Sequence, residues 1–134
     1  MWLVKTEPTE FSYADLERDG EAVWDGVSNP VALRNLRAMR AGDQVLVYHT
    51  GSEKAVVGVA EVVREAYPDP RRKNERLVVV DLRPRERLAR PVTLAELKAS
   101  AVFEDSPLAR QGRLSVVPIS AEQWKEIELL AKKR

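Results

Sequence analysis

Two apolar runs, Val45-Leu46-Val47-Tyr48-His49 and Ala55-Val56-Val57-Gly58-Val59-Ala60-Glu61-Val62-Val63, constrain this chain more than any other feature. They flank a loop that contains Gly51, and apolar, β-branched runs joined by a glycine-bearing loop form a hairpin signal. Apolar residues occupy both faces of each strand over much of its length, so both faces must be covered. A small closed or nearly closed sheet, with helices plugging its ends and sides, meets that demand.

The rest of the chain supplies the other parts. Trp2-Leu3-Val4 opens as a short strand, and Pro8 prevents its extension. Leu77 to Leu82 forms another strand after the hydrophilic segment Arg71 to Arg76, with Tyr67-Pro68-Asp69-Pro70 as a break before it. Leu114 to Ile119 is the last. Ser12 with Asp15 caps a short helix that Gly20 stops. Asn29 followed by Pro30 starts a second helix, which runs toward Gly42. That helix turns Ala32, Leu33, Leu36 and Met39 inward and fans Arg34, Arg37 and Arg40 along the flank. Thr93 with Glu96 makes a capping box, Ser106-Pro107 opens a brief turn closed by Gly112, and Ser120 with Gln123 caps a final helix. That helix carries Trp124, Ile127, Leu130 and Ala131 on one face. The expected fold is α+β, one domain over residues 1–134, with a mixed sheet of five to six strands and short helices. The helices are too short for a doubly wound fold, and no glycine-rich phosphate loop is present.

Composition removes several function classes. There is no cysteine, which excludes disulfides, thiolate chemistry and cysteine-bound zinc. A single histidine, His49, leaves little material for a metal site or a histidine relay, and no metal or cofactor is expected. The opening MWLVKTEP meets charge within a few residues, so neither a signal peptide nor a membrane span is expected there, and cytoplasmic residence is the default. A net charge of +1 argues against gripping nucleic acid by bulk charge alone. Basic residues concentrate between Arg71 and Arg90. Such a run is more often a solvated face, although here it brackets a strand and offers an edge to phosphates.

No G-x-S-x-G elbow is present, and the serines sit at caps or in a strand. His49 ends an apolar strand, a position more common for a hydrogen-bonded wall residue than for a general base. No helical spacing of carboxylates sets up a glycosidase pair. The remaining candidates are polar and aromatic residues at strand ends and loops: Lys5-Thr6-Glu7, Trp24-Asp25, Tyr48-His49-Thr50 and Gln111 to Ser115. On burial tendencies alone, Trp24 is a core residue more often than a pocket wall.

These same stretches, in order, resemble the EVE domain family, whose fold is similar to that of the PUA and YTH domains. MWLVKTEPTEFSYADLERDG resembles the family's opening strand, Lys-Thr-Glu-Pro motif and first helix. VWDGVSNPVALRNLRAMRAGDQVLVYHTG resembles its Trp-Asp-Gly-Val turn, arginine-bearing helix and Tyr-His strand end. VVGVAEVVREAYPDP, RPVTLAEL and RQGRLSVVPIS resemble the remaining blocks. The resemblance implies a PUA-like mixed β-barrel and a non-catalytic reader of a modified base, such as methylated or hydroxymethylated cytosine, in DNA or RNA. It implies Trp24 as the stacking platform, facing a cavity, with Lys5, Thr6, Asp25 and Asn29 on the base edge and Tyr48, His49 and Ser115 as walls. Arg34, Arg37, Arg72 and Arg113 are the phosphate candidates. The alternatives are a PUA-like module on tRNA or rRNA and a small hydrolase or nucleotide-processing enzyme using His49; an adaptor with a protein partner is a third. The chain departs from the family at a pattern like Gly-Val-Arg-Asn-Tyr, where it has Ser28 and Pro30. Its Arg71 to Arg76 loop is also shorter, which implies a more open pocket mouth.

Overall fold

The computed structural model describes residues 1–132. Its elements in chain order are β1 (Trp2–Thr6), α1 (Tyr13–Asp19), β2 (Ala22–Trp24), α2 (Pro30–Ala38), β3 (Gln44–His49) and β4 (Ala55–Pro68). There follow β5 (Val78–Thr93), α3 (Leu94–Ala99), a 3-10 turn (Ala101–Phe103), α4 (Pro107–Arg110), β6 (Val116–Pro118) and α5 (Ala121–Lys132). One six-stranded mixed sheet, ordered β2-β5-β4-β3-β1-β6, organises them. β1 runs parallel to β3 and antiparallel to β6, and the other pairings are antiparallel. Register shifts within the β3–β4 and β4–β5 ladders bend the strands, since a bulge adds local twist. The sheet curls into a half-barrel whose two edge strands are β2 and β6.

The hairpin from Val45 to Val63 forms as its pattern dictates, but both long strands outrun their expected ends. β4 continues through Tyr67 to Pro68, and β5 continues from Leu82 to Thr93 through two prolines. Proline lacks the ladder's N–H donor, so it survives in a strand only at an edge or an irregularity. Pro84 sits opposite Ala60 at one register shift. Pro91 falls where pairing jumps from Gly58–Arg87 to Val56–Val92, so the residues between bulge out of the ladder. β2 is the strand that sequence reading leaves as a turn: three residues, Ala22 to Trp24, paired to Leu82, Asp81 and Val80. β6 is shorter than expected, beginning at Val116.

The helix starts follow their caps. Ser12 and Asp15, and Thr93 and Glu96, form reciprocal capping boxes. The Asn29 side chain accepts from the N–H groups of Val31 and Ala32, with Pro30 at the first helical position. α2 stops at Ala38, because Met39 already has extended backbone at ψ 140°. Gly42 serves instead in the following turn, at φ +91° with its N–H on Val62 O.

The core holds Leu3, Leu16, Leu36, Leu82, Phe103 and Ile127, each at or near zero exposure. Tyr13 is the largest fully buried side chain; its hydroxyl donates to Val59 O at 2.7 Å while its ring lies flat on Gly58. A Cβ on Gly58 would come within 2.5 Å of that ring, so this position in β4 admits only glycine without displacement. None of the described helices is long and apolar enough to cross a membrane.

Candidate functional site

Parallel pairing brings the C-terminal ends of β1 and β3 side by side, with Lys5 opposite Tyr48 and Thr6 opposite His49. The Lys5 side chain passes over the Tyr48 ring, with Nζ 5.6 Å from the centroid, and Nζ donates to Gly112 O at 3.0 Å. Its backbone N–H donates to Ser115 O, which fastens the α4–β6 connection to this strand. A cavity of about 180 Å³ opens here, lined by Lys5, Tyr48, Thr50, Lys54, Lys98 and Leu108 among others. Burial lowers the Lys5 pKa below its ordinary value and raises that of Tyr48. Desolvation is the cause in both, since it disfavours whichever form is charged.

Two of the expected site residues, Lys5 and Tyr48, therefore meet in one cavity. Ser115 lies beside them through its backbone oxygen. Thr6 turns toward α1 instead, its hydroxyl donating to Phe11 O at 2.7 Å. His49 is buried, at 7% exposure, and both ring nitrogens are engaged. Nε2 accepts from the Tyr13 N–H at 3.0 Å, which leaves the proton on Nδ1, facing Glu53 Oε1 at 2.7 Å. That arrangement joins α1 to the hairpin.

Trp24 does not face a cavity, contrary to the expectation drawn for its orientation. Its ring is 6% exposed, stands edge-on to Phe11 with centroids 6.0 Å apart, and lines neither the cavity above nor the two larger clefts. The cause is β2: as a paired edge strand opposite Val80, it directs the indole into the core. Asp25 and Asn29 are exposed on the turn, and Asn29's carbonyl oxygen is occupied by its capping bonds.

The phosphate candidates also divide. Arg34 and Arg113 are exposed. Arg37 bonds Arg76 O. Arg72 is not available as expected: it pairs with Asp69 at 2.8 Å and reaches Val27 O at 3.1 Å and Ser28 Oγ at 3.4 Å. The Asp69 carboxyl, which also accepts from the Arg71 N–H, is held below the ordinary carboxylate range by these bonds. Arg72 thus clips its loop onto the turn, placing a guanidinium beside Ser28, where the resemblance expects an arginine. Along β5 the basic run is largely neutralised. Arg83 and Arg85 share Glu61, Arg87 meets Glu17, and Arg90 grips Glu96 through two bonds.

Sequence reading missed Lys54, Lys98 and Phe11. Lys54 is in the β3–β4 loop and Lys98 in the last turn of α3. Leu94 N–H donates to Lys54 O, and that bond draws the start of α3 onto the hairpin loop. No local pattern announces such a meeting.

A curled mixed sheet with short helices and a small lysine-lined cavity at its strand ends defines an α+β half-barrel module. The family model described as EVE domain matches residues 1–130, and the chain belongs to that family. An NMR structure of a protein from Rhodopseudomonas palustris is 41% identical, with TM-score 0.91, covering 97% of this chain and 91% of that one. Chicken thymocyte nuclear protein 1 is 29% identical over 92% of this chain, which spans only 65% of that relative's length. The human protein, 29% identical with TM-score 0.91 and coverage of 99% and 98%, has been solved in complex with 5-methylcytosine-containing DNA.

Proposed function

We propose that this chain acts as one EVE module and reads a modified base in nucleic acid, with 5-methylcytosine in DNA as the leading ligand. The observation that carries the reading is the human relative in complex with 5-methylcytosine DNA, similar to this chain over nearly its whole length. The proposed reading end comprises Thr6, Phe11 and Trp24, with Asp25 and Asn29 on the rim and Lys5 and Tyr48 in the adjoining cavity. Phe11 is partly exposed and stands in front of Trp24, so a base reaches the indole when Phe11 turns aside.

Extruding a base costs about a few kcal/mol in duplex DNA. Stacking on an aromatic ring returns roughly 1–3 kcal/mol, and a methyl group fitted into a pocket discriminates by about 1–3 kcal/mol. Those magnitudes predict a modest preference over unmodified DNA. The reading is non-catalytic, and what supports this is the engagement of both His49 nitrogens in holding α1. Cytoplasmic residence belongs to the same proposal, tested by fractionation against the nuclear location in the name of the animal relatives.

The test is a titration of short duplexes, with and without 5-methylcytosine, followed by tryptophan fluorescence and anisotropy. A tighter complex with the modified duplex, weakened by Trp24→Ala in protein that still folds, supports the reading. Equal affinity for both duplexes overturns it. Salt-dependent binding of structured RNA, indifferent to the DNA modification, would instead favour the RNA-module reading.

A further inference from the structure

Three lysines line the cavity at the ends of β1 and β3. Lys5 comes from β1, Lys54 from the hairpin loop and Lys98 from α3. Among the described residues none of them has a carboxylate partner, and the only polar contact made by any of the three side chains is that of Lys5 with Gly112 O. Two acids stand at the rim: Glu7, close to Gly51, accepts from Thr9 and Thr50, and Glu53, next to Lys54 in the loop, meets His49. Many arginines, by contrast, pair with acids: six, from Arg72 to Arg110, are within ion-pair distance of one.

Lys5 is partly buried there, whereas Lys54 and Lys98 are exposed, so an anion seated in the cavity meets positive charge from three separate elements. Lys54 sharpens the point. It is the one non-glycine residue with positive φ among those described, at +47°. A residue held there carries a backbone cost, and such costs concentrate at functional positions.

We propose that this three-lysine cavity is a phosphate-binding site. The proposal rests on the nucleic-acid reading above and adds to it the group that the cavity takes, leaving the base to the Trp24 end. The volume, about 180 Å³, is well below the roughly 300 Å³ at which pockets for whole small molecules begin. A single phosphate fits that scale. The ammonium groups supply donors and charge, Thr50 adds a hydroxyl, and Leu94 and Leu108 form dry walls that strengthen the attraction. The arginine run on β5 is a weaker candidate because its guanidinium groups already face carboxylates. The phosphate source is either the backbone of a bound strand or a free nucleotide.

The experiment measures affinity against salt concentration for modified and unmodified duplexes, using wild type, the Lys54→Gln/Lys98→Gln double variant and an exposed control, Lys125→Gln. Folding is checked by melting, and Lys98→Glu provides a second variant. Isothermal titration with inorganic phosphate and with cytidine monophosphate forms the other arm. For a backbone phosphate, the double variant weakens both duplexes by the same factor and flattens the salt slope by about one. The control leaves the slope unchanged, and the modified-to-unmodified ratio survives. For a free-nucleotide source, the double variant abolishes binding of phosphate or the mononucleotide while the duplex slope is unchanged. An unaltered duplex slope together with no phosphate binding by wild type overturns the site. Equal wild-type affinity for both duplexes with a flattened variant slope removes the modified-base reading and keeps the phosphate site.

Discussion

Adjacent residues at the end of β3 face opposite ways and live by different rules. On one side, under α1, His49 bonds the Tyr13 N–H and Glu53, and the Tyr13 hydroxyl bonds Val59 O. On the other, Tyr48 lies beneath Lys5 in a cavity where three lysines find no carboxylate. Buried polar groups that satisfy one another hold a fold together. Lysines without carboxylate partners contribute little to it, and the proposed phosphate site draws on them instead. One residue of sequence separates a structural joint from the wall of a cavity.

The comparison breaks hardest on the paired side. Tyr13→Ala removes the largest fully buried ring and should cost about 3–5 kcal/mol in chemical denaturation. Gly58→Ala forces a methyl into that ring and should cost about 1–3 kcal/mol. Since Tyr13→Ala vacates the space, the double variant should lose less than the two costs added together, a coupling that a double-mutant cycle reads directly. His49→Ala leaves the Tyr13 N–H without its acceptor and should also cost about 1–3 kcal/mol, with duplex affinity per folded molecule retained.

Acid sharpens the contrast more gently. Arg90 and the Thr93 N–H hold the Glu96 carboxyl at a pKa of about 2, well below its unperturbed 4.5. A depressed carboxylate contributes stability above the unfolded value and loses it as pH falls toward the folded one. Melting temperatures should therefore fall between about pH 4.5 and 2, and Glu96→Gln should flatten that part of the profile. Lys98 is on the same helix, so the cavity wall loosens in this range. The smallest effect belongs to the cationic side: Lys54→Gln/Lys98→Gln should alter stability by no more than about 0.5 kcal/mol, by the same denaturation measurement.

The fold was legible where local chemistry decides it. Ser12, Asn29, Thr93 and Ser120 each announced a helix, and each caps one. The hairpin around Gly51 followed from its apolar runs. The burial of Trp24 was not legible because β2 is only three residues long and exists through pairing with Val80 to Leu82, which its own sequence does not signal. Pro84 and Pro91 argued against a strand that bulges rescue. Lys5 and Tyr48 were reachable as strand-end residues, whereas Lys54 and Lys98 reach the same cavity through the Ala55–Thr93 pairing and the Leu94–Lys54 bond, both long-range. Arg72 read as a free cation because its partners, Asp69 apart, are 44 and 45 residues away.

β1 is bound on one side by β3 and on the other by β6, whose residues Val116 to Pro118 follow it by more than a hundred positions. During synthesis, Leu3 and Val4 emerge early and then wait, their outer edge open, until the chain beyond Val116 leaves the ribosome. Gly112 and Ser115, which anchor Lys5, arrive in that same late segment. A nascent chain therefore carries Thr6, Phe11 and Trp24 before it carries the finished lysine cavity, and premature termination near Gly112 would leave an exposed strand edge beside an incomplete cavity.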